Sequence, residues 1–195
     1  LANYAKFGKD SRMTDVISKE RLQSINVNEL MSKIKTFNEY PYEVFLYGVD
    51  QKGLEKAIKP YVVNTKLQPA KAKDYPELAT NGKVYFTNYD MVQMEMSKVA
   101  KAGNVNLSNF GKASVFNEYF GRGLSSIVFQ EIRESKSLAY SAYVSYANAT
   151  EKNKPNYVTN YIGTQSNKLP AAVSAMSDLM AELPQIPAQF ENAKG

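Results

Sequence analysis

Arg133 and Tyr140 stand seven residues apart in the run Arg133-Glu-Ser-Lys-Ser-Leu-Ala-Tyr140. One is a permanent cation with a fork of N–H donors, the other a phenol, and both can donate a hydrogen bond to a carbonyl oxygen. Placed where a helix gives way to a strand, such a pair suits gripping a peptide backbone. The same chain has no histidine and no cysteine. That removes imidazole and thiolate, the usual general bases, nucleophiles and zinc ligands. No complete zinc site is expected within the chain, which reads as the substrate-contacting part of something larger.

The spacing places Arg133 in the last turn of a helix, where the macrodipole favours a cation, with Gln130 three places back on the same face. Tyr140 is expected early in the next strand, on the side of Leu138, Ala142 and Val144. A plainer reading makes Arg133 a helix-terminal charge and Tyr140 one of 14 tyrosines. If both face a cleft, a hydrogen bond from the charged donor is worth about 1.5–3 kcal/mol. That would position an extended peptide but would not cut it. Glu131 and Glu134 flank Arg133 and read as solvated charges or local ion pairs. Gly121-Arg-Gly123 lacks both the third glycine of a dinucleotide loop and the Gly-Lys-Ser/Thr ending of a P-loop, so it reads as a break between two helices.

The elements around this pair follow from periodicity. Val27, Leu30, Met31 and Ile34 repeat at helical spacing, and Asn26 with Glu29 predicts an N-terminal cap. A turn or helix is expected between Val16 and Ile25. Tyr42 to Val49 reads as a buried strand, and Asp50 as the cap of a helix carrying Leu54, Ala57 and Ile58 that ends at Pro60. Asn64 to Gly82 reads as a loop with Pro69, Pro76 and three lysines. Lys83–Thr87 and Met91–Ala100 are expected to be strands. Ala113, Phe116 and Phe120 mark one helix, and Leu124, Ile127, Val128 and Ile132 a second. Leu138 to Tyr146 alternates as a strand, Tyr157 to Thr164 is a further strand, and a helix carrying Val173, Met176, Met180 and Leu183 ends at Pro184. Strands in adjacent pairs with short connections predict an α+β fold, an antiparallel sheet with helices on one face.

Composition narrows the function classes. The 44% hydrophobic and 12% aromatic content of 195 residues suits a buried core. Twenty-four basic residues against 19 acidic give a net charge of +5, with only four arginines, Arg12, Arg21, Arg122 and Arg133. That balance argues against nucleic acid as a partner. No apolar run reaches the ~18 residues of a membrane span. The start at Leu1 and the ending Phe190-Glu-Asn-Ala-Lys-Gly195 make both ends read as cut. Lack of cysteine would suit an extracytoplasmic location without deciding it.

The stretch Tyr119-Phe-Gly-Arg-Gly-Leu-Ser-Ser-Ile-Val-Phe-Gln-Glu-Ile-Arg-Glu-Ser-Lys-Ser-Leu-Ala-Tyr140 resembles the non-catalytic C-terminal domain of the pitrilysin, insulin-degrading enzyme and mitochondrial processing peptidase family. There a small Gly-containing turn precedes a Phe-Gln-Glu-Leu-Arg-Glu type helix and a Leu-Ala-Tyr or Leu-Gly-Tyr strand entry. A looser similarity runs from Tyr42 to Leu183 and includes Phe45-Leu-Tyr-Gly-Val-Asp50. Residues 1–40 resemble the helical lead-in from a preceding domain, and 41–195 the inactive, substrate-contacting domain.

That resemblance implies an α/β roll that closes, clamshell fashion, on a second half around a peptide chamber. The second half would carry an inverted zinc motif, His-x-x-Glu-His, in which zinc activates water and the motif Glu is the general base. Arg133 and Tyr140 would hydrogen-bond substrate carbonyls. Since the motif is absent here, zinc and its N-terminal half are expected elsewhere in the same polypeptide or in a separate subunit, and this chain is not expected to hydrolyse peptides alone. The rival expectation is a non-catalytic structural or processing-partner subunit of the same fold.

Overall fold

Apolar residues alternate along two neighbouring segments, and in the computed structural model these pair as β2 (Ser141–Ala147) and β3 (Pro155–Thr164). The described residues are 1–45, 47–48, 51–61, 67–79 and 82–195. A third strand, β1 (Met94–Asn104), lies on the other side of β3, giving the order β1-β3-β2 with every pair antiparallel. In chain order the α-helices are α1 (Ala2–Phe7), α2 (Lys19–Gln23), α3 (Val27–Lys35), α4 (Gln51–Ile58), α5 (Phe110–Phe116), α6 (Leu169–Ala181) and α7 (Pro187–Lys194). Wider, π-helical turns occur at Asn117–Gly121 and Phe129–Ser135. Among the described residues no helix is long and apolar enough to cross a membrane.

The chain forms two compact units, one of Leu1–Gly8 with Glu77–Gly195 and one of Lys9–Pro76. In the first, Ala142 and Val144 of β2 and Ile162 of β3 face a helical layer. That layer supplies Phe120, Ile127, Val128 and Ile132, and α6 adds Ala172, Ala175, Met176 and Leu179. This is the expected α+β arrangement. Ser126 starts the helix at Ile127, its buried hydroxyl accepting from the Phe129 N–H at 3.3 Å. Leu124 therefore lies in the preceding turn and is exposed, outside the helix expected to include it.

Two residues of the α5 layer close the outer edge of β2. The Asn117 side-chain amide accepts from the Tyr146 N–H at 2.7 Å and donates to the Tyr146 carbonyl at 2.9 Å. One turn on, Gly121 packs against the Val144 carbonyl so closely that a Cβ there would fall 1.9 Å from its oxygen. On the opposite face of the sheet, Glu77 accepts from the Tyr157 hydroxyl at 2.7 Å and pairs with Lys101 at 3.0 Å. Lys6 of α1 sets its ammonium 4.0 Å from the centre of the Tyr157 ring, and its carbonyl accepts from the Leu78 N–H at 2.7 Å.

In the second unit, Ser18 and Asn26 cap α2 and α3 by accepting from Arg21 and Asn28 main-chain N–H groups. Glu29 pairs with Arg21 at 3.2 Å instead of completing a capping box with Asn26. The apolar positions of α3 repeat as expected, yet Val27, Leu30, Met31 and Ile34 are exposed. Asp15 binds both Lys73, at 2.8 Å, and the Tyr75 hydroxyl.

Two expected strands do not form among the described residues. Residues 41–45 are not part of a strand, and Tyr42, Val44 and Phe45 are exposed where a buried strand was expected. Leu46, Val49 and the expected cap Asp50 lie outside the described residues. Lys83–Thr87 likewise forms no strand among the described residues, leaving Val84 92% and Phe86 82% exposed. Strand propensity measures fit to a pleated, half-buried surface, and neither segment has that surface. The next strand starts at Met94 rather than Met91, because Met94 is the first residue to meet a partner, Thr164.

Candidate functional site

Arg133 rises from the π-helical segment Phe129–Ser135, and Tyr140 lies one residue ahead of β2. The wider turn brings Phe129 beneath Arg133, with the guanidinium carbon 4.8 Å from the Phe129 ring centre and 5.2 Å from that of Tyr140. Stacking of this kind contributes about 0.5–1 kcal/mol at an exposed site and orients the planar fork. Gln130, expected on the Arg133 face, is engaged elsewhere and donates to the Leu124 carbonyl at 2.6 Å. Tyr140 was expected within the strand on the Ala142 side. Instead its ring stands beyond the packed face and is 68% exposed, while Val144 is fully buried.

The five residues between helix and strand are fixed by their main chain. Ser137, in the left-handed region at φ 49°, donates to the Arg133 carbonyl at 3.1 Å. Leu138 donates to Ile132 at 2.9 Å, and its own carbonyl accepts from the Thr164 hydroxyl at 2.5 Å. The Tyr140 N–H then donates to the Gly163 carbonyl at 3.0 Å. Cation and phenol are thus held in register by the sheet, not by a free loop, which is the preorganisation a binding site needs.

Both side chains border a groove of about 330 Å³ across the ends of the three strands, lined also by Gln93, Thr164, Gln165 and Lys168. The carboxylates beside Arg133 make local pairs: Glu134 to Arg133 Nε at 3.4 Å and Glu131 to Lys136 at 3.8 Å. All four side chains are well exposed, so each pair contributes little. Of the two glycines in Gly121-Arg-Gly123, the first packs against β2 and the second makes a turn at φ 87°.

The sequence profile of the peptidase M16 inactive domain matches residues 42–194. The chain belongs to that family. The resemblance carried by Tyr119–Tyr140 is thereby borne out. Two solved structures share this chain's fold. One is a peptidase M16 inactive domain from Pseudomonas fluorescens, 15% identical, with a TM-score of 0.57 over 90% of this chain and 43% of that one. The other is a protease from Helicobacter pylori, 14% identical, with a TM-score of 0.55 over 90% of this chain and 44% of that one. The chain spans less than half the length of either. No curated protein matches it.

In this M16 inactive domain the described residues offer no ligand set for a zinc ion. The chain has no His or Cys, and among the described residues no three carboxylates gather where a metal could be held. Gln93, Thr164 and Lys168 escaped the sequence reading. Gln93 lies one residue before β1, Thr164 ends β3 and Lys168 is the N-cap of α6, and only the strand order brings them to Arg133. No local pattern announces them.

Proposed function

We propose that this domain is the substrate-contacting, chamber-closing half of a zinc metalloendopeptidase, in which Arg133 and Tyr140 hydrogen-bond the carbonyls of a bound peptide. The observation that carries the proposal is the Arg133 guanidinium stacked 5.2 Å from the exposed Tyr140 ring at the mouth of the groove. The fork offers paired N–H donors and the phenol a third, and nothing in the chain supplies a nucleophile-activating imidazole. The zinc-bearing half belongs to the same polypeptide or to a separate subunit, where bound zinc supplies a polarised water. The contribution of this half is to hold the peptide in place.

In the assembled enzyme, Arg133→Ala is expected to lower kcat/KM by roughly 10- to 100-fold and Tyr140→Phe by about 2- to 10-fold. These correspond to losing a charged and a neutral hydrogen bond respectively. Melting should be nearly unchanged, since both side chains are exposed. Turnover equal to the parent at matched melting would leave the structural or processing-partner role instead.

A further inference from the structure

The groove holds more positive charge than gripping neutral carbonyls requires. Lys168 also lines it and is half-buried, with Nζ donating to the Ser137 carbonyl at 3.0 Å. That bond takes one of three ammonium donors and fixes the charge against the segment joining Arg133 to Tyr140. Gln93 and Gln165 add neutral amides, and among the described lining residues there is no carboxylate. Glu134 reaches Arg133 at Nε, 3.4 Å away, and both side chains are well exposed, so it offsets little of the field. About 330 Å³ is near the lower limit of ligand clefts, room for a side chain or two rather than an organic cofactor.

We infer that the groove selects a peptide carboxylate, an Asp or Glu side chain or a free C-terminus, beside the gripped carbonyls, with Lys168 as the specificity-determining residue. This rests on the peptide-binding role proposed above. Lys168 meets the carboxylate with its free donors while Arg133 and Tyr140 hold the backbone.

The test is an NMR titration of the full chain with three acetylated peptides, read at the Ser137, Tyr140 and Lys168 amides and the Arg133 Nε–H. The peptides are Ala-Ala-Asp-Ala-Ala amide, its Asn analogue, and penta-alanine with a free C-terminus. The Asp peptide is expected to bind about two- to fivefold more tightly than the Asn peptide, with the gap shrinking as salt rises. Tighter binding by penta-alanine than by the Asn amide would identify the terminal carboxylate as a source. Lys168→Gln, which keeps a donor for the Ser137 carbonyl, should abolish the gap and leave the Asn peptide unaffected. Equal binding of all three peptides, with Arg133 and Tyr140 signals still moving, overturns the charge preference and leaves the grip intact. A gap that survives Lys168→Gln removes Lys168 from the role. Silence of every signal overturns both readings.

Discussion

Gly121 has no room for a methyl group. A Cβ there would fall 1.9 Å from the Val144 carbonyl oxygen and 2.8 Å from its carbon, both main-chain atoms that cannot swing aside. Gly121→Ala gains about 1 kcal/mol of helix propensity but must push the π-turn off the strand. A net loss of about 1–3 kcal/mol is expected, read as a lower urea midpoint at unchanged m-value. The glycine pair was legible as punctuation, yet this close approach was not, since it depends on a strand 23 residues later in the chain. Arg133 and Tyr140 were legible for the opposite reason. Their seven-residue interval and the helix-to-strand junction are local, so type and spacing could be read directly. Lys168 was not, because it reaches the groove only through the fold of β3 into α6.

At the scale of elements, helices were read more faithfully than strands. Helical periodicity is intrinsic to a segment, as α3, α5 and α6 illustrate, whereas Lys83–Thr87 needs a neighbour that the alternation cannot name. The pairing of α1 and residue 77 with the sheet was also invisible in sequence. Burial, then the bond to Glu77, holds the Tyr157 phenol well above the ordinary tyrosine range. In the folded chain it therefore keeps its proton beyond pH 10, where an unfolded tyrosine has lost it from half of the molecules. Its contribution is fully present below pH 10 and is lost as pH rises above that value. Lys6 opposes this in part, since burial lowers its pKa. Comparing parent with Tyr157→Phe isolates the phenol: the variant should lose less melting temperature than the parent between about pH 9 and pH 11.

At the scale of the molecule, the antiparallel sheet and the helical layer packed on it in the unit of Leu1–Gly8 with Glu77–Gly195 agree with the expected α+β class, because alternation and helix spacing together determine which faces are apolar. Division into the unit of Leu1–Gly8 with Glu77–Gly195 and that of Lys9–Pro76 was not foreseen; it follows from contacts distant in sequence. One small amide has an effect that reaches beyond a single molecule. By occupying both the donor and the acceptor of Tyr146, Asn117 behaves as a counterfeit strand residue, and a foreign chain finds no vacancy there from which to polymerise. Asn117→Leu should uncover that vacancy, and the variant is expected to scatter light and bind thioflavin on incubation at concentrations where the parent stays clear.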